Sequence, residues 1–214
     1  SANAQVIYTQ DFQSGPRTGP GTDGTGSQSL APYGYSTSGN ANTAIEATAG
    51  NYYGKVWNGY NNPNQESSAN VQFGADAWGG GSLLSSYGLL AGNTVNYSID
   101  TRIADAVSAG GTLGLTIRFF NSNFSQYYEG SSVFLSIAGE SRENWTTHTL
   151  SAVIPVEAQI IQFGIFSATS NWSAGSAFID NVQISTASVP EPSVASLLGF
   201  GVLGLAATRF RRRS

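Results

Sequence analysis

The sequence contains no cysteine, no methionine and a single histidine, and its charged residues amount to only 10% of 214 residues. Without cysteine, neither disulfides nor thiolate metal sites can form. One histidine, His148, does not supply the several His or Cys ligands that a zinc site needs. Because soluble domains contain about 25% charged residues, this surface must be built largely from Ser, Thr, Asn, Gln and Gly.

Positive charge is also scarce outside the C-terminal tail. Four of the nine Lys and Arg residues and one of the thirteen acidic residues lie in residues 189–214, so residues 1–188 hold five basic and twelve acidic residues. A nucleic-acid-binding domain needs a basic footprint for the phosphates, so we expect no nucleic-acid partner. A polysaccharide ligand remains compatible with this charge.

The N-terminal residues suggest export. Since Met is absent, Ser1 is not a translation start, and Ala2, Asn3 and Ala4 have the small-x-small form that signal peptidases cleave after. Residues 1–4 are therefore expected to be a signal-peptide remnant or, alternatively, a plain disordered N-terminus.

Alternating apolar residues dominate the middle of the chain. In residues 94–104, Val95, Tyr97, Ile99, Thr101 and Ile103 share one face, which is the period-two pattern of a half-buried strand. The same reasoning predicts strands at residues 6–12, 43–48, 54–60, 70–75, 113–119, 133–137, 144–154, 158–166 and 177–185. Residues 13–42 are expected to form a long surface loop, and residues 83–87 a turn. The fold class is all-β: residues 5–186 are predicted to form one antiparallel β-sandwich (jelly roll).

A hinge and an apolar segment follow this domain. Pro190 and Pro192 flank Glu191 and exclude regular structure, so residues 187–193 are expected to be an extended hinge. Residues 194–208 carry no charge, and residues 194–210 are predicted to be a short transmembrane helix. The basic tail, 211–214, is expected to stay cytoplasmic, with everything before the helix exported.

This tail resembles the PEP-CTERM sorting signal of bacterial envelope proteins, through Val189, Pro190, Glu191 and Pro192 and through Arg209, Arg211, Arg212 and Arg213. The resemblance implies recognition by an exosortase, a membrane protease that cuts near the hinge in bacteria that make exopolysaccharide. It implies transient anchoring in the inner membrane and final residence in the envelope, at the cell surface or in the extracellular matrix. A permanent C-terminal membrane anchor is the alternative.

A second resemblance covers roughly residues 5–185. The opening strand running into residues 11–15 (DFQSG), residues 90–97 (LAGNTVNY), Trp145, the pair Ile154 and Pro155, and residues 178–182 (FIDNV) are similar in order and spacing to the carbohydrate-binding-module jelly roll of the galactose-binding-like superfamily. That resemblance implies a structural calcium ion between the first and last strands. Asp180 matches one ligand, and Gln13 stands where the family has an acid, with Asp11 able to compensate. The alternative for Asp180 is a carboxylate that accepts backbone hydrogen bonds at a strand start.

Exposed aromatic side chains are the candidates for sugar binding, because they stack on the apolar face of a pyranose ring. Trp145 is expected in the core. The predicted ligand-binding residues are Trp172, Trp57, Tyr60, Tyr127, Tyr128 and Trp78, although each of them could instead pack on a sheet face.

Catalysis has little basis in this sequence. No nucleophile elbow accompanies His148, and the acidic residues do not cluster as a glycosidase pair. The sequence therefore predicts a non-enzymatic exported domain that associates with exopolysaccharide. The alternatives are a self-associating subunit of a matrix, sheath or fibre, favoured by low charge and few edge lysines, and a hydrolase, which requires His148 and a carboxylate to converge in a cleft.

Overall fold

A computed structural model describes residues 4–14, 30–38, 41–58, 67–105, 107, 111–124, 132–168 and 175–187. These residues form eleven strands and two short 3₁₀ turns, Ala31–Tyr33 and Leu84–Tyr87. The strands are β1 (Gln5–Gln10), β2 (Tyr35–Ser38), β3 (Ala41–Thr48), β4 (Asn51–Asn58), β5 (Ser67–Gly74), β6 (Thr94–Asp105), β7 (Thr112–Phe120), β8 (Val133–Ser136), β9 (Thr146–Val153), β10 (Ile160–Ala168) and β11 (Ser176–Thr186).

The strands form two antiparallel sheets that pack as a sandwich, as the sequence predicted. The six-stranded sheet has the order β3-β4-β11-β6-β9, and β1 also pairs with β11. The five-stranded sheet has the order β2-β5-β10-β7-β8. β4 pairs with residues 176–179 of β11, and β1 pairs with residues 182–186 of the same strand. β4 and β1 therefore meet end to end along β11.

The core lies between the sheets and follows the alternation in the sequence. Leu113, Leu115, Ile117 and Phe119 of β7 are completely buried, and the inward-facing apolar residues of β6 and β10 are at most 3% exposed. Tyr97 meets Phe163 edge to face across the core, with ring centroids 5.9 Å apart. Burial of so many large apolar side chains is the main stabilising contribution to the fold.

Residues 13–42 are not the continuous surface loop that their composition predicted. Leu30, Tyr33 and Tyr35 are buried in the core, and Tyr35 begins β2, which pairs with β5. The prediction was wrong here because β2 is short and buries only one large side chain, that of Tyr35, while Ser36 and Thr37 are exposed. The predicted turn at residues 83–87 is confirmed by the 3₁₀ turn at Leu84–Tyr87.

The predicted transmembrane segment and the sorting-signal residues lie outside the described residues. Within the described part of the chain, no helix has the length and apolar character needed to span a membrane.

Candidate functional site: the outer face of the five-stranded sheet

The predicted sugar-binding aromatics do not form one site among the described residues. Trp172, Tyr60, Tyr127 and Tyr128 lie outside those residues. Trp57 is half-buried on the six-stranded sheet, whereas Trp78 is 74% exposed on the loop that follows β5.

The outer face of the six-stranded sheet carries an aromatic cluster around Arg102. The guanidinium carbon of Arg102 lies 5.3, 5.1 and 4.7 Å from the ring centroids of Tyr53, Trp145 and Phe178. Such cation–π contacts occupy ring faces that a sugar would need. We therefore interpret this cluster as packing that stabilises the sheet.

Trp145 is not in the core, contrary to the sequence prediction. It is 38% exposed and precedes β9, where its ring meets Tyr53 edge to face at 5.6 Å. The alternation of β9 turns Leu150 and Ala152 inward, so extending it back to Trp145 places this residue on the outer face, as it does Thr147 and Thr149. Trp57 lies on the same face, with the Lys55 ammonium 5.7 Å from its ring and in an ion pair with Glu46 at 3.2 Å.

The outer face of the five-stranded sheet, named here the five-stranded face, combines a polar row with the exposed ring of Phe134. Gln72, Gln162 and Arg118 stand opposite one another on β5, β10 and β7. Gln162 Nε2 donates to Gln72 Oε1 at 3.0 Å, and an Arg118 terminal nitrogen donates to Gln162 Oε1 at 3.1 Å. These side chains place amide and guanidinium groups in one line across three strands.

Two buried side chains hold Arg118 in place. Its terminal nitrogen donates to Ser68 Oγ at 2.8 Å and lies 3.4 Å from Asn70 Oδ1. Asn70 Nδ2 in turn donates to Ser68 Oγ at 2.7 Å. Because Ser68 and Asn70 are only 2% and 1% exposed, they act as fixed supports, and Arg118 arrives at the surface already oriented.

Aromatic rings flank the polar row. Phe134 of β8 is 47% exposed and meets Phe166 of β10 edge to face at 6.2 Å. Gly114 makes room for this ring, since a Cβ at that position would lie 2.3 Å from Phe134 Cε2. The face thus offers an exposed ring beside oriented hydrogen-bonding groups, which is the chemistry that holds a sugar.

These residues are absent from the sequence prediction, because the predicted ligand-binding residues were Trp and Tyr in loops. The alternation along the strands could have identified them, because it marks which residues face outward. Gln72, Arg118 and Gln162 each follow or precede a buried apolar residue, namely Phe73, Ile117 and Phe163.

The predicted calcium residues do come together, at the junction of β1, β4 and β11. A cavity of about 360 Å³ there is lined in part by Asp11, Ser14 and Asn181. The pKa of Asp180 is raised to about 6, mainly by burial; the hydrogen bond from the Asn181 amide lowers it, and the nearby Asp100 and Asp11 carboxylates add to the rise.

The arrangement of these oxygens does not fit a calcium cage. Gln13 Oε1 accepts from Tyr52 N at 3.3 Å, Asp11 Oδ1 accepts from Gln13 N at 3.0 Å, and Asp180 Oδ1 accepts from Asn181 N at 2.8 Å. Among the described residues, no group of three or more His, Cys, Asp or Glu side chains could hold a metal ion. Calcium takes about six to eight oxygen ligands, and the hydrogen bonds at Gln13 Oε1, Asp11 Oδ1 and Asp180 Oδ1 compete with it for these acceptors.

His148 and a carboxylate do converge, which is one part of the condition for a hydrolase; the other part was a cleft at that place. His148 Nε2 pairs with Glu140 Oε1, and Thr101 Oγ1 donates to Glu140 Oε2 at 2.7 Å. The carboxylate therefore lies between the hydroxyl and the imidazole, so this cluster does not contain the hydroxyl-to-histidine hydrogen bond that activates a nucleophile. It instead ties β9 to β6 through the segment before β9.

Comparisons with known proteins give a likeness of fold. No protein-family model and no curated protein matches the sequence. The chain is similar to the first xylan-binding domain (CBM22-1) of Xyn10C from Paenibacillus barcinonensis, with a TM-score of 0.52, 11% identity, and coverage of 88% of this chain and 99% of that one.

The chain is also similar to the CBM22-1 and GH10 modules of endo-1,4-beta-D-xylanase 10B from Clostridium thermocellum, solved with xylohexaose, with a TM-score of 0.51 and 14% identity over 86% of this chain and 28% of that one. At these identities, the comparisons show that the chain shares the two-sheet fold of these carbohydrate-binding modules.

Proposed function

We propose that this chain is a non-catalytic polysaccharide-binding domain and that the five-stranded face is its binding surface. The observation that carries the proposal is the line of Gln72, Gln162 and Arg118 beside the exposed Phe134 ring. The amides and guanidinium are oriented before any ligand arrives, which reduces the entropy that binding must offset. The likeness to xylan-binding domains supports the same function and makes xylan the first ligand to test.

The test is titration of the full chain with soluble xylan, followed by a panel of neutral and acidic bacterial exopolysaccharides. We expect measurable binding that weakens about tenfold, or about 1.4 kcal/mol, in Phe134→Ala and in Arg118→Ala. Trp145→Ala is the matched control, because Trp145 is a comparably exposed aromatic on the other sheet. Absence of binding across the panel, or an equal loss in the control, would overturn the proposal.

The absence of catalysis is part of the same proposal. The Glu140 carboxylate separates Thr101 from His148, and the polar row contains amides and a guanidinium in place of a carboxylate pair. Incubation of the bound polysaccharide with the protein should release no new reducing ends. Release that disappears in His148→Ala would instead establish a hydrolase.

We further propose that the domain is exported and sorted to the envelope or extracellular matrix by an exosortase. The support is the sequence of the tail: the Pro190-Glu191-Pro192 hinge, the uncharged segment and the arginine cluster. Mass spectrometry of the protein from its native host should find a C-terminus near the hinge. An intact chain in the cytosol would contradict export.

A self-associating structural role has one specific observation in its favour. β9 is an edge strand of the six-stranded sheet among the described strands, and its eight residues include no Lys, Arg, Asp or Glu. An unguarded edge strand can pair with another copy. Concentration-dependent sedimentation of the full chain that disappears in Thr149→Lys would support this role, and monomeric behaviour at every concentration would reject it.

A further inference from the structure

A second group of rings continues the five-stranded face beyond the polar row. Arg118 lies between two of the rings, with its guanidinium carbon 5.9 Å from the Phe166 centroid and 5.7 Å from that of Phe120. Phe120 then meets Phe124 at 5.5 Å, and Phe124 stacks on Trp78 at 6.3 Å with only 13° between the ring planes. The rings form one track from β8 to the loop that follows β5.

Trp78 is held firmly although it is largely exposed. Asp76 Oδ1 accepts from Trp78 N at 2.9 Å and from Gly80 N at 2.8 Å, which closes the loop on itself. Ala77 N donates to the Ser122 carbonyl at 2.8 Å and fixes the loop to the end of β7. The backbone that carries the 74% exposed indole is therefore fixed, which lowers the conformational entropy that binding would otherwise cost.

The backbone of Phe124 supplies an independent indication of function. Its φ is +57°, in the left-handed region that bulky residues rarely adopt. Such a conformation costs roughly 1–3 kcal/mol and tends to occur at ligand sites. Here it places the Phe124 ring parallel to Trp78, so that one face of the indole is backed by a ring.

We propose that Trp78 and Phe124 form an outer subsite for the same glycan, so that the ligand is an extended chain lying along the strands. This inference rests on the proposed function. From Gly114, beneath Phe134, to Phe120 the track follows six residue steps of β7, a length of roughly 20 Å at strand spacing. A single sugar ring cannot cover that length, whereas an oligosaccharide can contact the Phe134 end and the Trp78 end together.

The test is a calorimetric titration of the full chain with a ladder of xylo-oligosaccharides from xylobiose to xylohexaose. We expect affinity to rise with length up to the longest member. Trp78→Ala should weaken xylohexaose binding about tenfold and leave the shortest binding member unchanged, whereas Phe134→Ala should weaken every member. Leu83→Ala is the matched control, since Leu83 is an exposed apolar residue at the same end of the sandwich but outside the ring track.

Asp76 is a positioning residue in this scheme, and it provides a second measurement. Asp76→Ala should reduce xylohexaose affinity as Trp78→Ala does, while Asp76→Asn, which keeps an oxygen acceptor for both amides, should restore it. Binding that does not depend on length and is unchanged by Trp78→Ala would overturn the subsite and leave the proposed function standing. Absence of binding by every member of the ladder and by xylan itself would overturn both.

Discussion

The side-chain amide of Gln13 pairs with the backbone of Tyr52, with Nε2 donating to the Tyr52 carbonyl at 2.7 Å and Oε1 accepting from the Tyr52 amide at 3.3 Å. Nε2 also donates to the Asp11 carbonyl at 3.0 Å. The amide therefore joins the end of β1 to β4 at the junction where calcium was predicted. A neutral amide can make this connection because it is both donor and acceptor, which a carboxylate is not.

Gln13→Ala should lower the free energy of unfolding by about 1 kcal/mol, the usual net value of such hydrogen bonds. For a domain of this size, that corresponds to a fall in Tm of about 2–4 °C. Gln183→Ala, on the exposed side of β11, is the matched control. Thermal unfolding by circular dichroism measures both.

The same junction makes a prediction about metal removal. Because Asp11, Gln13 and Tyr52 are engaged in hydrogen bonds with one another, EDTA should leave the Tm of the natural chain unchanged. Gln13→Glu removes the donor to Tyr52 and adds a carboxylate, so this variant should be less stable in EDTA and should recover with added calcium. A fall in the Tm of the natural chain on adding EDTA would restore the calcium prediction.

Asp180 predicts how stability depends on pH. Its pKa is about 6 in the folded chain against an ordinary value of 3.8, so between these values the folded chain holds a proton that the unfolded chain releases. The stabilisation that comes from protonated Asp180 is fully present below the pKa of the unfolded chain. The free energy of unfolding therefore falls as pH rises from that value to the pKa of the folded chain. Solvent screening of the half-exposed carboxyl reduces the expected change to on the order of 1 kcal/mol.

Asp180→Asn should abolish that loss, because Asn keeps an acceptor for the Asn181 amide without the charge. In urea unfolding between pH 4 and pH 8, the free energy of unfolding of Asp180→Asn should exceed that of the natural chain only at the upper end of this pH range. Glu143→Gln, an exposed acid elsewhere, should reproduce the pH dependence of the natural chain. Equal pH slopes in the natural chain and in Asp180→Asn would contradict the prediction.

Much of the sandwich could be predicted because β6, β7, β10 and β11 alternate clearly between apolar and polar residues, and burial enforces that alternation. β2 escaped prediction because its four residues reach the core mainly through Tyr35. A strand that short is recognisable only from its pairing with Val71 and Ala69 on β5, which is a long-range contact.

The binding face was harder to predict than the fold for a related reason. Gln72, Gln162 and Arg118 are far apart in sequence and become neighbours only through the register of three strands. Trp78, a predicted ligand-binding residue, is exposed, whereas Trp145, predicted in the core, is 38% exposed and partly covered by Tyr53 and Arg102. Which aromatic faces remain open depends on cross-strand neighbours that no local pattern records.

Gly114 offers a test of how the exposed ring is placed. A Cβ at this position would lie 2.3 Å from Phe134 Cε2 and 2.6 Å from the Leu135 carbonyl, so Gly114→Ala must displace the ring and disturb the pairing of β7 with β8. We expect a loss of about 1–3 kcal/mol in stability, typical of overpacking, together with weaker polysaccharide binding.

The double variant Gly114→Ala with Phe134→Ala separates the two contributions. Removing the ring relieves its clash, so the stability cost of Gly114→Ala should be smaller in the Phe134→Ala background, and the double-mutant cycle should show coupling between the sites. Additive effects on stability would mean that the ring does not lie over Gly114.

Glu140 should matter for stability and leave binding unaffected. Thr101 is completely buried and donates to Glu140 Oε2, so Glu140→Ala would leave a buried hydroxyl without that acceptor and His148 without its partner. The expected cost is about 1–3 kcal/mol, measured by urea unfolding. Replacing Thr101 by Val in the same chain should recover part of this cost, because the hydroxyl that lost its acceptor is removed.

Polysaccharide affinity should be unchanged in every Glu140 or Thr101 variant that remains folded, since the cluster lies between β6 and β9 in the six-stranded sheet. A selective loss of affinity would instead place this cluster at the ligand.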